Sequence, residues 1–146
     1  MLIDADDSQL LLVDYQLRLM PAIAAGADAL ANAVRLAQAA HLLEVPIWAT
    51  EQNPDKLGPT EAALLSVLQE NGARVLPKMQ FSACTDELLR ALRPVRPTQG
   101  GNARSLPKHL QKAVPPQDEG RAAVVVAGCE AHVCLLQTAL ELLENE

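Results

Sequence analysis

The chain has 146 residues, 49% hydrophobic and 21% charged, which suits one ordinary domain with a real core and excludes disorder throughout. Its net charge of −6 opposes phosphate backbones, so nucleic acid is unlikely as a general partner, and no apolar run is long enough to span a membrane. The opening MLIDADD is neither a secretory signal nor a transit peptide, and three cysteines without an export signal read as separate thiols in a cytoplasmic protein.

In chain order, QLLLVD over 9–14 is a short apolar run ending in an acid, as in a strand buried on both faces. The segment 28–43 is rich in Ala and Leu, with Leu30, Val34, Ala37 and Ala40 on one helical stripe. Pro46 ends that helix, and PIWAT reads as a second strand. EQNPDKLGPT, with two prolines, a glycine and an Asn-Pro pair, reads as a loop. A helix over 61–71 follows, with Gly72 as its cap, and ARVLPK forms a third strand. Thr85 is placed to cap a short helix through Leu92.

The stretch 93–120 is rich in Pro, Gly, Gln and basic residues and is expected to be a flexible insert. AAVVVAG is the clearest buried strand, and Val133, Leu136, Leu140 and Leu143 give a last helix. Strand and helix alternate four times. That predicts an α/β domain: Rossmann-like, three-layered α/β/α, with a mainly parallel sheet. With only Tyr15, Trp48 and Phe81 as aromatics, one subunit has a limited core, which favours a homo-oligomer.

Ligands of open parallel sheets bind at the carboxyl ends of the strands, near the switch in strand order. The polar residues expected there are Asp14 and Gln16, then Thr50, Glu51 and Gln52, then Lys78, and last Glu130, His132 and Cys134. An acid, an amine and a thiol thus converge on one edge. Cys134 at a helix start is set to ionise easily, with Lys78 assisting, and Asp14 is placed to take its proton. Taken singly, each has a plainer reading: Asp14 as a loop cap, Lys78 as a surface amine, Cys134 as a small hydrophobe. Cys84 and Cys129 lack the same setting and read as structural.

Three segments carry a family resemblance: LLLVDYQ, LPKMQFSA and AGCEAHVCLLQTALELL. In that order they resemble the isochorismatase-like cysteine hydrolase superfamily, and TEQNPDKLGPT is similar to its isochorismatase-domain-containing subgroup. The resemblance implies Asp14, Lys78 and Cys134 as a catalytic triad and the amides of Glu130 and Cys134 as an oxyanion hole. It also implies a cis peptide at Cys129–Glu130. Gln16, Trp48, Glu51, Gln52 and Phe81 are substrate-binding candidates from strand-end position. Nicotinamidase relatives bind a metal through an Asp-x-His pair and a further His after the second strand. Glu51 and Gln52 stand there instead, and His41, His109 and His132 are scattered, so neither metal nor other cofactor is expected.

Isochorismatases of siderophore pathways lack the nucleophilic Cys, which speaks against that reaction. The family also continues through two more strands, so the sequence ending at Glu146 is expected to be incomplete. The leading expectation is hydrolysis of a C–N bond in a small-molecule substrate through a thioester. The alternatives are a ribonuclease or RNA-binding protein, with basic residues of the 93–120 stretch as its support, and a non-catalytic oligomeric scaffold.

Overall fold

The computed structural model describes residues 2–92 and 121–145. The stretch 93–120, expected as a flexible insert, lies outside the described residues.

Four parallel strands make one sheet: β1 (Ser8–Val13), β2 (Ile47–Gln52), β3 (Arg74–Lys78) and β4 (Ala123–Gly128). Their spatial order is β3-β2-β1-β4. Among the described residues five helices accompany them: α1 (Gly26–Leu42), α2 (Pro54–Leu57), α3 (Ala62–Glu70), α4 (Asp86–Leu92) and α5 (Cys134–Glu144), with a short 3-10 turn over Met20–Ala22. The chain is therefore an α/β protein with a parallel sheet, as its alternation of patterns predicts.

Side chains of β1 alternate between two apolar layers, as the period of a strand requires. Leu10 and Leu12 pack with Ala33, Ala37 and Ala40 of α1 and with Leu64 and Leu68 of α3. Leu11 and Val13 pack on the other face with Leu88 and Leu92 of α4 and with Cys134 of α5. β1 is buried at all six positions. This explains why Leu10 to Val13 are continuously apolar rather than alternating; Ser8 and Gln9 are buried polar residues at its start.

The local signals act as their chemistry predicts. The Thr85 hydroxyl accepts the Leu88 amide at 3.2 Å at the start of α4. Gly72, with φ 62, ends α3 in the left-handed region that favours glycine. The 51–60 segment is more ordered than its loop composition predicts. Pro54 opens the single turn α2, and Gly58, with φ 77, closes it.

The last helix also differs from the simple pattern. Its buried positions are Cys134 and Thr138, with Leu135 and Leu142 packed against the core. Leu136, Leu140 and Leu143 are exposed. The spacing of leucines identifies the helix but not the face it buries, because two apolar stripes run along it.

Among the described residues, no helix is long and apolar enough to cross a membrane.

Candidate active site

The strand order reverses between β1 and β4. β2 and β3 lie to one side of β1, and β4 pairs on the other. The carboxyl end of that seam is the crevice where parallel sheets hold ligands. Asp14 follows β1 there, and Cys134 follows β4 across a short turn. Lys78 ends β3, two strands away, and its long side chain reaches past the end of β2 to the same place.

Asp14 breaks the regular strand. Its φ of 58 is left-handed, a region that non-glycine residues seldom occupy and that Asp tolerates better than most. Its N–H donates to the Thr50 carbonyl at 3.2 Å, and the Thr50 hydroxyl donates to its Oδ1 at 2.8 Å. The residue is only 2% exposed.

Lys78 Nζ lies 2.7 Å from Asp14 Oδ2, and both side chains are buried. The ammonium has three protons. Besides Asp14 Oδ2, three acceptors surround it: Gln52 Oε1 at 2.8 Å, the Phe81 carbonyl at 2.8 Å and the Gln80 carbonyl at 3.2 Å. The contact with Asp14 is the shortest of the four, a buried ion pair. The Asp14 carboxylate keeps lone pairs beyond this contact and can still accept a proton.

The Cys134 thiol is the adjacent donor, within hydrogen-bond reach of Asp14 and 3.5 Å from Glu130 Oε2. Burial pushes this thiol up to about 12; Lys78 opposes the rise, while the carboxylates of Asp14 and Glu130 add to it. The sequence-based expectation of an easily ionised Cys134 is therefore corrected: desolvation and two carboxylates outweigh the helix start and the ammonium. The thiol at rest holds its proton. Burial also raises the thiols of Cys84 and Cys129. Cys84 donates to the Thr138 carbonyl at 3.7 Å, and Cys129 lies 3.7 Å from the Met20 sulfur and beside the Tyr15 hydroxyl.

The turn from β4 to α5 is closed by the Glu130 carbonyl, which accepts from the amides of Val133 at 3.1 Å and Leu135 at 3.2 Å. The amides of Glu130 and Cys134 have no such acceptor among the described residues. The expected cis peptide at Cys129–Glu130 is absent: the bond is trans. For a residue other than proline the trans form is favoured by about 2.5–4 kcal/mol, and the turn closes without a cis bond.

The five substrate-binding candidates divide sharply. Gln16 is fully buried. Its Oε1 accepts the Gln52 amide at 2.7 Å, and its Nε2 donates to the carbonyls of Gln52 at 2.9 Å and Gly58 at 2.8 Å. It ties the end of β2 to the loop after it, with no polar atom left for a ligand. Gln52 holds Lys78 with its Oε1 and the Met79 carbonyl with its Nε2. Glu51 accepts the amide and hydroxyl of Thr60 at 2.7 and 2.8 Å. Phe81 stands beside the site with an exposed ring.

Trp48 is not brought to the carboxyl edge. It is the second residue of β2, its indole N–H donates to Gln9 Oε1 at 3.1 Å, and Arg74 lies 5.8 Å over its ring. Thr50, expected at the strand end without a role, and Thr138, which the sequence reading misses, both hold the site in place. Thr50 grips Asp14. Thr138 accepts the Ala83 amide at 2.9 Å and donates to the Cys134 carbonyl at 2.6 Å, fixing the first turn of α5. Thr50 has a visible signal, a hydroxyl at a strand end; Thr138, inside a helix, has none.

Comparison with known proteins identifies the family and the fold. An Isochorismatase domain family model matches residues 8–99, well over half of the chain. The chain is 33% identical over 143 residues to Isochorismatase domain-containing protein 2A of Mus musculus, covering 96% of this chain and 54% of that protein. It is 33% identical over 131 residues to Isochorismatase domain-containing protein 1 of Danio rerio, covering 89% of this chain and 37% of that one. It thus spans roughly half or less of these curated relatives.

Among solved structures, the MAR1 ribonuclease of Caenorhabditis elegans superposes with a TM-score of 0.76 at 28% identity, covering 99% of this chain and 62% of that one. The YcaC gene product of Escherichia coli, described as an octameric hydrolase of unknown specificity, shares the fold. Its TM-score is 0.73 at 19% identity, covering 98% of this chain and 60% of that one. On the strength of the family model, this chain belongs to the isochorismatase-like family.

Proposed function

We propose that the chain carries the site of a cysteine hydrolase that cleaves an amide-type C–N bond of a small molecule through a thioester. The observation that carries this reading is the buried Asp14 carboxylate, paired with Lys78 and within reach of the protonated Cys134 thiol.

In the first step the thiol proton passes to Asp14 Oδ2 as Sγ forms a bond to the substrate carbonyl carbon. Lys78 compensates the buried negative charge at Asp14 and favours the developing thiolate. The amides of Glu130 and Cys134 are the donors proposed for the oxyanion. Collapse of the tetrahedral species breaks the C–N bond, and the proton on Asp14 leaves with the amine. Water then attacks the thioester. It gives one proton to Asp14, which returns it to sulfur, and the carboxylic acid departs.

The test is a screen of small amides and ureas against the wild type and Cys134→Ala, with intact mass read during turnover. An acyl adduct on the wild type alone, and loss of hydrolysis in the variant, are expected. Hydrolysis that survives in Cys134→Ala removes Cys134 as nucleophile. Failure of thiol-directed probes to label Cys134 favours the non-catalytic scaffold.

A second reading, RNA cleavage, draws on the name of the MAR1 ribonuclease relative. The net charge of −6 opposes it, and a salt-dependent RNA titration separates the two. We also propose a homo-oligomer in the cytoplasm. The exposed Leu136, Leu140 and Leu143 and the octameric YcaC neighbour support the association. A monomeric mass at micromolar concentration counts against it.

A further inference from the structure

We propose that Glu130 is a charge filter at the nucleophile, selecting ligands that bring a positive or hydrogen-donating group to the acyl centre and disfavouring anionic ones. The inference rests on the reading of Cys134 as the group that meets the substrate.

The charges around the thiol carry it. Lys78 is the nearest cation, but it is already paired. Asp14 lies 2.7 Å away, and Gln52, Gln80 and Phe81 surround the ammonium with three further acceptors. Its side chain is fully buried, so an arriving ligand finds neither an exposed ammonium nor a free N–H. Glu130 differs. Among the described residues the ion pairs are Lys78–Asp14 and Arg74–Glu87, so Glu130 has no cationic partner. Among the described residues its carboxylate accepts a hydrogen bond from the Cys134 thiol alone, at 3.5 Å.

Nor is Glu130 free to swing its backbone away. Its carbonyl accepts from Val133 and Leu135 and pins the turn before α5. A ligand that reaches Sγ must therefore meet a carboxylate that the turn holds beside the sulfur and that has no cationic partner among the described residues. A neutral apolar group there leaves its charge uncompensated, and an anion adds repulsion. A cationic amine or an N–H-rich group supplies the missing partner with a charge-assisted hydrogen bond. The substrate class that fits is a small amide bearing an amine or amidine-like donor near the scissile bond.

The test measures charge selectivity at the thiol without turnover. Cationic, neutral and anionic methanethiosulfonates of similar size are reacted with the intact chain, with rates at Cys134 read by peptide mass and normalised to free glutathione. For an unpaired unit charge a few ångströms from the reacting atom, the normalised cationic-to-anionic ratio is expected to be about tenfold or more in the wild type. Glu130→Gln should bring it close to one, and Glu130→Asp should retain much of it. On the wild type alone, raising salt from low to molar concentration should compress the ratio several-fold.

A wild-type ratio near one, or a ratio untouched by Glu130→Gln, overturns the filter while leaving the hydrolase reading intact. Equal slowing of all three reagents by Glu130→Gln also overturns it, since that marks a proton acceptor rather than a filter. If no reagent modifies Cys134, the hydrolase reading falls and the filter falls with it.

Discussion

Replacing Lys78 with methionine isolates the energetics of the buried pair. The substitution keeps the length of the side chain and much of its packing, and removes one charge and three protons. It leaves Asp14, 2% exposed, without its cation. Removing one partner of a buried pair costs about 3–5 kcal/mol, because the remaining charge is stranded in a poorly polarisable setting. Three acceptors also lose their donor: Gln52 Oε1 and the carbonyls of Gln80 and Phe81. They lie nearer the rim, where water replaces much of what is lost, so we assign the variant a total of about 4 kcal/mol. With a urea slope of about 2 kcal/mol/M, the midpoint should fall by about 2 M. Asp14→Asn on the Lys78→Met background should recover part of this, since a neutral amide no longer needs a counter-charge. The four proteins form a double-mutant cycle with a coupling of about 2 kcal/mol or more, measured by urea unfolding. A Lys78→Met cost below about 1 kcal/mol, with additive single changes, would refute the buried pair as the organising contact of the site.

Three further outcomes follow from other contacts. Thr50→Val removes the donor to Asp14 Oδ1 and should cost about 1.5–3 kcal/mol in chemical denaturation, the range for hydrogen bonds to charged groups. Gly128→Ala places a methyl group 3.1 Å from the Val13 carbonyl and 3.2 Å from its Cβ, at the β1–β4 seam below the crevice. It should cost about 1–3 kcal/mol by overpacking and slow labelling of Cys134, whereas unchanged stability and labelling would show that the seam yields easily. The thiol of Cys134 and the hydroxyl of Tyr15 are both pushed up to about 12, from 9.0 and 10.0, chiefly by burial. Between those limits the native state holds protons that the unfolded state has lost. Stability should therefore fall as pH rises from about 9 to 12, and Cys134→Ala should shallow that fall in urea midpoints measured across the range.

The fold was legible because its signals are local. A short apolar run marks a parallel strand, and β1 and β4 are such runs; β1 is buried throughout, while β4, expected to be the clearest buried strand, is half-buried at all six positions among the described residues. Thr85 and Gly72 announce helix ends through their own chemistry. Strand ends also pointed to the site, because side chains there share one edge whatever the strand order. What stayed hidden depends on tertiary register. Trp48 sits near a strand end in sequence, but it is the second residue of β2 rather than one of the last, and its indole faces Gln9. Gln16 looks like a binding residue until its three hydrogen bonds to backbone are seen. The buried face of α5 was ambiguous because Leu135 and Leu142 form one stripe and Leu136, Leu140 and Leu143 another.

The resting state of Cys134 is where local reasoning fails most instructively. Helix start and nearby ammonium are true features of the site, and each favours a thiolate. Neither wins, because Lys78 is neutralised by Asp14 and the sulfur is buried between two carboxylates. A permanently ionised thiol at this edge would react with any electrophile that reached it. A protonated thiol beside an accepting carboxylate oxygen becomes a nucleophile only as a bond to carbon forms. In the proposed mechanism the proton then moves onto Asp14, which removes one of the charges opposing the thiolate and frees Lys78 to stabilise it. On that proposal the ion pair suppresses reactivity at rest and supports it during attack, using one carboxylate in two protonation states. Such a dual role requires Asp14 to be close to both Lys78 and the thiol, and both contacts are present.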